Sequence, residues 1–75
     1  MSVKQIGENA GIVWRTLNGQ NRKFEFKELQ ESTGLTARDL NAAIGWLARE
    51  GKINIESSPE KGEEIFYLEI NYYIG

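Results

Sequence analysis

The fold is decided by residues 36–56, which read TARDLNAAIGWLAREGKINIE. Thr36 is a helix-capping residue, and Asp39 stands three residues later, where a carboxylate meets the positive end of the helix dipole. The apolar residues that follow recur with the period of a helix. They predict one buried face, formed by Leu40, Ala43, Ile44 and Leu47. Gly51 comes next, and its tolerance of left-handed backbone ends this third helix of the chain.

After this helix the apolar period changes to two. Ile53 and Ile55 face one side of a predicted strand, and the polar residues between them face the other. Residues 57–62, SSPEKG, have the composition of a turn. Residues 64–70 then resume a strand-like composition. The pattern predicts a β-hairpin with a polar tip.

The N-terminal part of the chain predicts an amphipathic helix. Ser2 and Gln5 have the spacing of a capping box, so the helix is expected to begin at this point. Asn18-Gly19 is expected to end it, because glycine readily adopts the left-handed conformation found at helix ends. Its apolar face comprises Val3, Ile6, Ala10, Val13, Trp14 and Leu17.

Between the two long helices, the alternating residues 23–26 predict a short strand and residues 27–32 a brief helix. Residues 33–35, TGL, predict a tight break. All these elements are expected to share one core, in which Trp14 belongs to the buried face of the first helix. The predicted core residues are Val13, Trp14, Leu17, Leu29, Leu40, Ile44, Leu47, Ile53 and Ile55.

The composition excludes several classes of function. The 75 residues contain no cysteine and no histidine, which removes disulfides, zinc clusters, thiol nucleophiles and imidazole bases. We therefore expect a single domain over residues 1–75 that is not an enzyme and has no catalytic residues, metal or cofactor. The N-terminus lacks the pattern of a signal peptide, and no segment resembles a membrane span. The expected location is cytoplasmic, with no membrane partner.

The order of elements is that of a winged helix-turn-helix domain. Residues 26–29 (FKEL) lead into 33–36 (TGLT), and residues 47–53 (LAREGKI) resemble the end of a recognition helix that enters the first wing strand in MarR-like and related bacterial regulators. The chain thus resembles a small bacterial winged-helix family of unassigned function. The resemblance implies an α+β fold with three helices, a short strand after the first helix and a C-terminal hairpin wing. It also implies DNA binding and transcription regulation.

In such domains the third helix enters the major groove, so the residues opposite Leu40 and Leu47 are candidates for base contacts. That side holds Arg38, Asn41, Ala42, Gly45 and Arg49. Arginine can pair with guanine and asparagine with adenine. Further cations are candidates for phosphate contacts: Arg22, Lys23, Lys27 and Lys61. The alternative interpretation is that all of these are ordinary solvated side chains.

The predicted wing departs from the usual pattern of these regulators. Residues 1–53 carry a net charge of +2, whereas residues 54–75 carry −4. The tip, residues 57–64, holds three carboxylates against one ammonium group. Negative charge close to phosphates disfavours binding. The second hypothesis is therefore a winged-helix module that binds another protein and not DNA.

Aromatic residues outside the predicted core suggest an interface. Trp46 lies on the flank of the third helix, where it either covers the edge of the core or reaches a partner. The C-terminal residues carry more apolar area than one strand face can bury, which favours a homodimer. In the alternative interpretation, Tyr72 and Tyr73 fold back along the first helix. The interface candidates are Trp46, Tyr67, Ile70, Tyr72, Tyr73 and Ile74.

Overall fold

The third helix and the hairpin form as the sequence predicts. In the computed structural model, which describes residues 1–58 and 60–68, the backbone N–H of Asp39 donates a hydrogen bond of 3.1 Å to the Thr36 hydroxyl. Gly51 follows the helix with a φ of 68°. The elements in chain order are α1 Val3–Gln20, β1 Phe24–Glu25, α2 Phe26–Thr33, α3 Ala37–Arg49, β2 Ile53–Ser58 and β3 Glu63–Leu68.

Helix α1 begins where the sequence predicts but ends later. The capping box is present, because the Ser2 hydroxyl accepts from the Gln5 backbone N–H and the Gln5 side chain accepts from the Ser2 N–H. The prediction that Asn18-Gly19 ends the helix is wrong, since Gly19 lies inside it. Asn21 takes the left-handed conformation instead, with a φ of 46°, and its N–H donates to the Leu17 carbonyl.

The segment that follows α1 is more helical than predicted. The strand β1 has two residues only, and Phe26 already belongs to α2. The reason lies in a second capping box, which the sequence analysis missed. The Glu28 carboxylate accepts from the Glu25 backbone N–H at 3.0 Å, so the helix begins at Phe26. Gly34 ends α2 with a φ of 72°, as the predicted break requires.

The three strands form one antiparallel sheet in the order β1-β3-β2. The central strand β3 pairs with β1 on one side, where Phe66 faces Phe24, and with β2 on the other side, where Leu68 faces Ile53. The β2–β3 hairpin is called the wing below. Three helices and this sheet make the α+β arrangement that the resemblance implies.

The core draws apolar side chains from all six elements, and α1 packs mainly against α3. All four apolar residues predicted for the buried face of α3 are buried. The buried residues are Ala10, Val13, Leu17, Phe24, Leu29, Leu40, Ala43, Ile44, Leu47, Ile53 and Phe66. Phe24 and Phe66 were absent from the predicted core, although both lie on the sheet face that the helices cover.

Two predicted core residues are exposed. Trp14 is 38% exposed, because the buried stripe of α1 is narrower than the predicted face and Trp14 lies at its edge. Ile55 is 42% exposed. Ile55 pairs with Phe66, but it lies on the edge strand β2. The helices bury Phe66 and Phe24 on the neighbouring strands and leave Ile55 exposed. Apolar alternation in a strand therefore overestimated the depth of the core at this edge.

Candidate nucleic-acid interface

The outward face of α3 carries the residues that the sequence analysis placed there. Its axial row, called the α3 stripe below, consists of Arg38, Ala42, Gly45 and Arg49. All but Ala42 are exposed, and Ala42 is partly exposed. Asn41 is exposed beside the stripe. The buried face of the same helix holds the stripe outward, because four apolar residues fix the rotation of α3 about its axis.

The two arginines stand at the ends of the stripe. At about 1.5 Å per residue they lie roughly 16 Å apart along the helix axis. Between them are an alanine and a glycine, and a Cβ built on Gly45 would meet nothing within 4 Å. Within residues 1–58 and 60–68, neither arginine forms a salt bridge. The stripe thus offers two free guanidinium groups on either side of a flat surface that allows close approach.

Two of the cations predicted to contact phosphates, Arg22 and Lys23, form ion pairs on the protein surface. Arg22 forms a 3.0 Å salt bridge with Glu28, and its guanidinium carbon lies 3.7 Å from the centre of the Phe24 ring. The hydrogen bond from the Glu25 backbone and the adjacent guanidinium lower the pKa of the Glu28 carboxyl below its ordinary value. The charge of Arg22 is thus partly balanced by Glu28 before any partner binds.

Lys23 is engaged across the outer face of the sheet. Its Nζ lies 3.2 Å from a carboxylate oxygen of Glu56 and 4.9 Å from the centre of the Tyr67 ring. The Tyr67 hydroxyl donates a 2.8 Å hydrogen bond to the same carboxylate. This bond, followed by the contact with Lys23, lowers the pKa of the Glu56 carboxyl. Lys23 directly precedes β1, Glu56 lies in β2 and Tyr67 lies in β3. Their contacts therefore link the start of β1 to both strands of the wing.

The remaining cations lie close to carboxylates of the wing. Lys27 shares a surface depression of about 340 Å³ with Gly62, Glu63 and Glu64. Lys61 is exposed at the tip, where it stands in sequence between Glu60 and Glu63. The predicted basic cluster is therefore dispersed: Arg22 and Lys23 are exposed but form ion pairs with Glu28 and Glu56, and Lys27 lies opposite acidic residues. Several exposed cations form no salt bridge within the described residues, and Arg38 and Arg49 are the two of them on the outward face of α3. The others are Lys4, Arg15, Lys27, Lys52 and Lys61.

Sequence reasoning missed the pairing of Lys23 with Glu56. The two residues are 33 positions apart, and only the strand order brings them together. A usable signal was present, because Phe24 alternates with charged residues in the manner of a strand that pairs in a sheet. The partner strand could not be identified from that pattern.

The predicted interface residues divide into two groups. Trp46 is 40% exposed on the flank of α3, as expected, and Tyr67 is partly buried against Lys23 and Glu56. The other candidates lie outside the described residues: Ile70, Tyr72, Tyr73 and Ile74.

The sequence gives no reason to expect a metal site or a membrane span. In the part of the chain that the structure describes, no group of three or more acidic, histidine or cysteine residues could hold a metal ion. The same described ranges contain no helix that is both long enough and apolar enough to cross a membrane.

Comparison with known proteins agrees with the geometry. A family model described as a winged helix-turn-helix domain (DUF2582) matches residues 1–68. The uncharacterized protein MJ1608 of Methanocaldococcus jannaschii is 33% identical over 58 residues, which cover 76% of this chain and 83% of that protein. A solved chain from work on the DNA recognition and protein interaction domains of HOP2 is 28% identical with a TM-score of 0.69. The match covers 81% of this chain and 98% of the HOP2 chain.

Proposed function

The chain belongs to the family described as winged helix-turn-helix domain (DUF2582), and from this membership we propose that it binds duplex DNA through the outward face of α3. The similarity to a HOP2 chain studied for DNA recognition supports the proposal, since the match spans nearly all of that chain. Fold alone does not determine function, which depends on the residues of the site.

The α3 stripe is the observation on which the proposal depends most. A helix that enters the major groove needs an outward face that is narrow enough to approach the base edges. Ala42 and Gly45 supply that face, and Arg38 and Arg49 flank it without a carboxylate partner in residues 1–58 and 60–68.

Each side chain of this face has a specific role in the proposed complex. Arg38 and Arg49 donate paired hydrogen bonds to guanine O6 and N7 or to the flanking phosphates, and Asn41 reads adenine. Lys27 is the remaining candidate for a phosphate contact from α2. The carboxylates of Glu63 and Glu64 line the same depression and weaken the attraction of Lys27 for a phosphate. With about three phosphate contacts, binding is weak and falls about as the third power of the salt concentration.

We propose a role as a small transcription regulator, a binding domain and not an enzyme. The wing takes no part in DNA contact in this proposal, in contrast to the usual winged-helix arrangement. Its tip presents Glu60, Glu63 and Glu64 with only Lys61 to balance them. Because duplex DNA must be accessible to the protein, a cytoplasmic location forms part of the same proposal.

The second candidate function is a protein-interaction module, and the acidic wing is the observation that favours it. The acidic tip repels phosphates but would attract a basic protein surface. The two functions differ in the surface they use, because DNA requires the α3 stripe and a basic partner requires the tip.

The homodimer expected from the sequence stays a prediction. Two copies joined through residues 69–75 would place two α3 helices for half-sites about 34 Å apart. If that segment packs on its own chain, each copy binds a single site. Sedimentation of the intact chain beside a chain truncated after Glu69 separates the two arrangements, since two monomers at millimolar concentration would exclude the dimer.

A fluorescence anisotropy titration with mixed-sequence duplexes tests the proposed function. Binding is expected at about 50 mM salt, where electrostatic contacts are only weakly screened, and is expected to weaken steeply as salt is added. Absence of binding at that salt concentration rejects the DNA function. Binding with little dependence on salt would reject the proposed phosphate contacts.

A further inference from the structure

A groove between α1 and the end of α3 lies outside the proposed DNA-binding face. It encloses about 560 Å³, and no residue of the α3 stripe lines it. Helix α1 contributes two glycines, Trp14 and Arg15 to its walls, and Trp46 comes from α3. Glu50, at the C-terminal cap of α3, and Lys52, before β2, complete the charged residues of the lining. The groove is therefore a second surface, which stays accessible while the stripe contacts DNA.

The groove has aromatic walls and a floor of glycine. Trp14 and Trp46 are 38% and 40% exposed, so each leaves a large apolar surface in contact with water. Gly7 and Gly11 are about one turn apart on α1. The indole ring of Trp46 lies 3.8 Å from the position of a Cβ added at Gly7, and the Arg15 guanidinium lies over Gly11. A partner that enters the groove can therefore approach the α1 backbone and cover both indoles.

The charged groups of the groove have both signs. Arg15, Glu50 and Lys52 are exposed, and none of the three forms a salt bridge within residues 1–58 and 60–68. A partner with charges of one sign would be attracted by part of this lining and repelled by the rest. A second copy of the same lining carries both signs, so it can satisfy the cations and the carboxylate together. The charges thus favour self-association over a strongly acidic or strongly basic partner.

We propose that two copies of the chain pack groove to groove about a two-fold axis, with the tryptophans at the centre and Arg15 paired with Glu50 of the partner subunit. Such an interface is isologous, so each ion pair forms twice. Tryptophan and arginine are enriched at the centres of protein interfaces. The added burial matters in a chain of 75 residues, because small domains bury only a small core. The contact is distinct from a dimer through residues 69–75 and keeps both α3 stripes outside the interface.

Sedimentation equilibrium of the full chain and of charge variants tests this proposal. Arg15→Glu and Glu50→Arg each set like charges against each other at both pairs, so each is expected to weaken the dimer about tenfold or more. The double variant Arg15→Glu, Glu50→Arg restores opposite charges and the native net charge. It is expected to return the dissociation constant to within about threefold of that of the unmodified chain.

Trp46→Ala tests the apolar centre of the interface, and its loss is expected to weaken the dimer about tenfold or more. Val3→Ala is the matched control, because Val3 is 71% exposed on α1 and does not line the groove. The control is expected to leave the dissociation constant unchanged. Circular dichroism shows whether each variant is folded, and the charge variants decide if Trp46→Ala is not.

Three results would overturn the proposal. In the first, the full chain sediments as a monomer up to millimolar concentration. In the second, the dimer persists unchanged in the charge variants, which assigns the contact to another surface, such as residues 69–75. In the third, the double charge variant fails to restore the dimer. All these measurements are made without DNA, so they are independent of the binding measured at the α3 stripe.

Discussion

The α3 stripe and the wing are both exposed, but their charged groups serve different purposes. The stripe presents Arg38 and Arg49 without ion-pair partners in the described residues. In the wing, Glu56 binds Lys23 and Tyr67, and the tip is acidic. The contrast shows that the same winged-helix domain can leave cations unpaired on one surface while charges of its wing form contacts within the domain.

The largest expected effect is on the free energy of unfolding, when apolar residues of α3 and of the wing are truncated. Leu40→Ala is expected to destabilise the domain by about 2–5 kcal/mol, because Leu40 is completely buried beneath the stripe. Ile55→Ala, in the wing, is expected to cost less than about 1 kcal/mol, since Ile55 is 42% exposed. Chemical denaturation of both variants checks the difference. Equal losses would mean that the wing contributes to the core as much as α3 does.

The next effect concerns DNA contact. Arg38→Ala and Arg49→Ala are each expected to weaken duplex binding by about 5- to 150-fold, corresponding to about 1–3 kcal/mol for a paired base contact. Lys23→Ala is the control cation, because it is already held by Glu56, and it is expected to change affinity by about twofold or less. Anisotropy titrations of the three folded variants decide. A larger loss with Lys23→Ala would move the interface away from α3.

A smaller effect of opposite sign is expected from the wing. The Glu63→Gln, Glu64→Gln variant removes two carboxylates near Lys27 and is expected to tighten DNA binding by about two- to fivefold at low salt. Glu8→Gln, on the exposed side of α1, neutralises a carboxylate elsewhere and serves as the control. Weaker binding after neutralisation of the tip would show that the wing contributes to the complex.

The smallest effect is a pH dependence of the wing itself. The pKa of Glu56 is lowered in the folded chain, so its contribution to stability is present above its ordinary value of 4.5 and is lost as pH falls through the lowered pKa. Glu56→Gln is therefore expected to be less stable than the native chain near neutral pH. The two chains are expected to converge in acid, once the pH has fallen below the lowered pKa of Glu56. A gap of constant size in thermal unfolding across this range would contradict an ionic role.

Local rules account for what the sequence predicted correctly. The capping residues Ser2 and Thr36, the buried face of α3 and the change of period at residue 52 each depend on neighbours within a few positions. The outward position of Arg38 and Arg49 follows from the same periodicity, which is why the central candidates could be named in advance.

The errors arose where distant parts of the chain meet. Ile55 was placed in the core because alternation cannot show where along the edge strand β2 the cover of the helices ends, between the buried Ile53 and the exposed Ile55. Lys23 was assigned to phosphates because the strand order that carries it to Glu56 is not visible in composition. Trp14 was counted as buried, since helical periodicity gives the direction of a face but not the width of the contact.

The most direct test of the central claim is to map DNA contact on the isotopically labelled full chain by backbone amide chemical shifts, with a mixed-sequence duplex at low salt. Binding through α3 is expected to concentrate the shifts on residues 37–49 and on Lys27, while residues 60–64 at the tip of the wing change little. Shifts confined to the wing, with the amides of α3 unchanged, would contradict it.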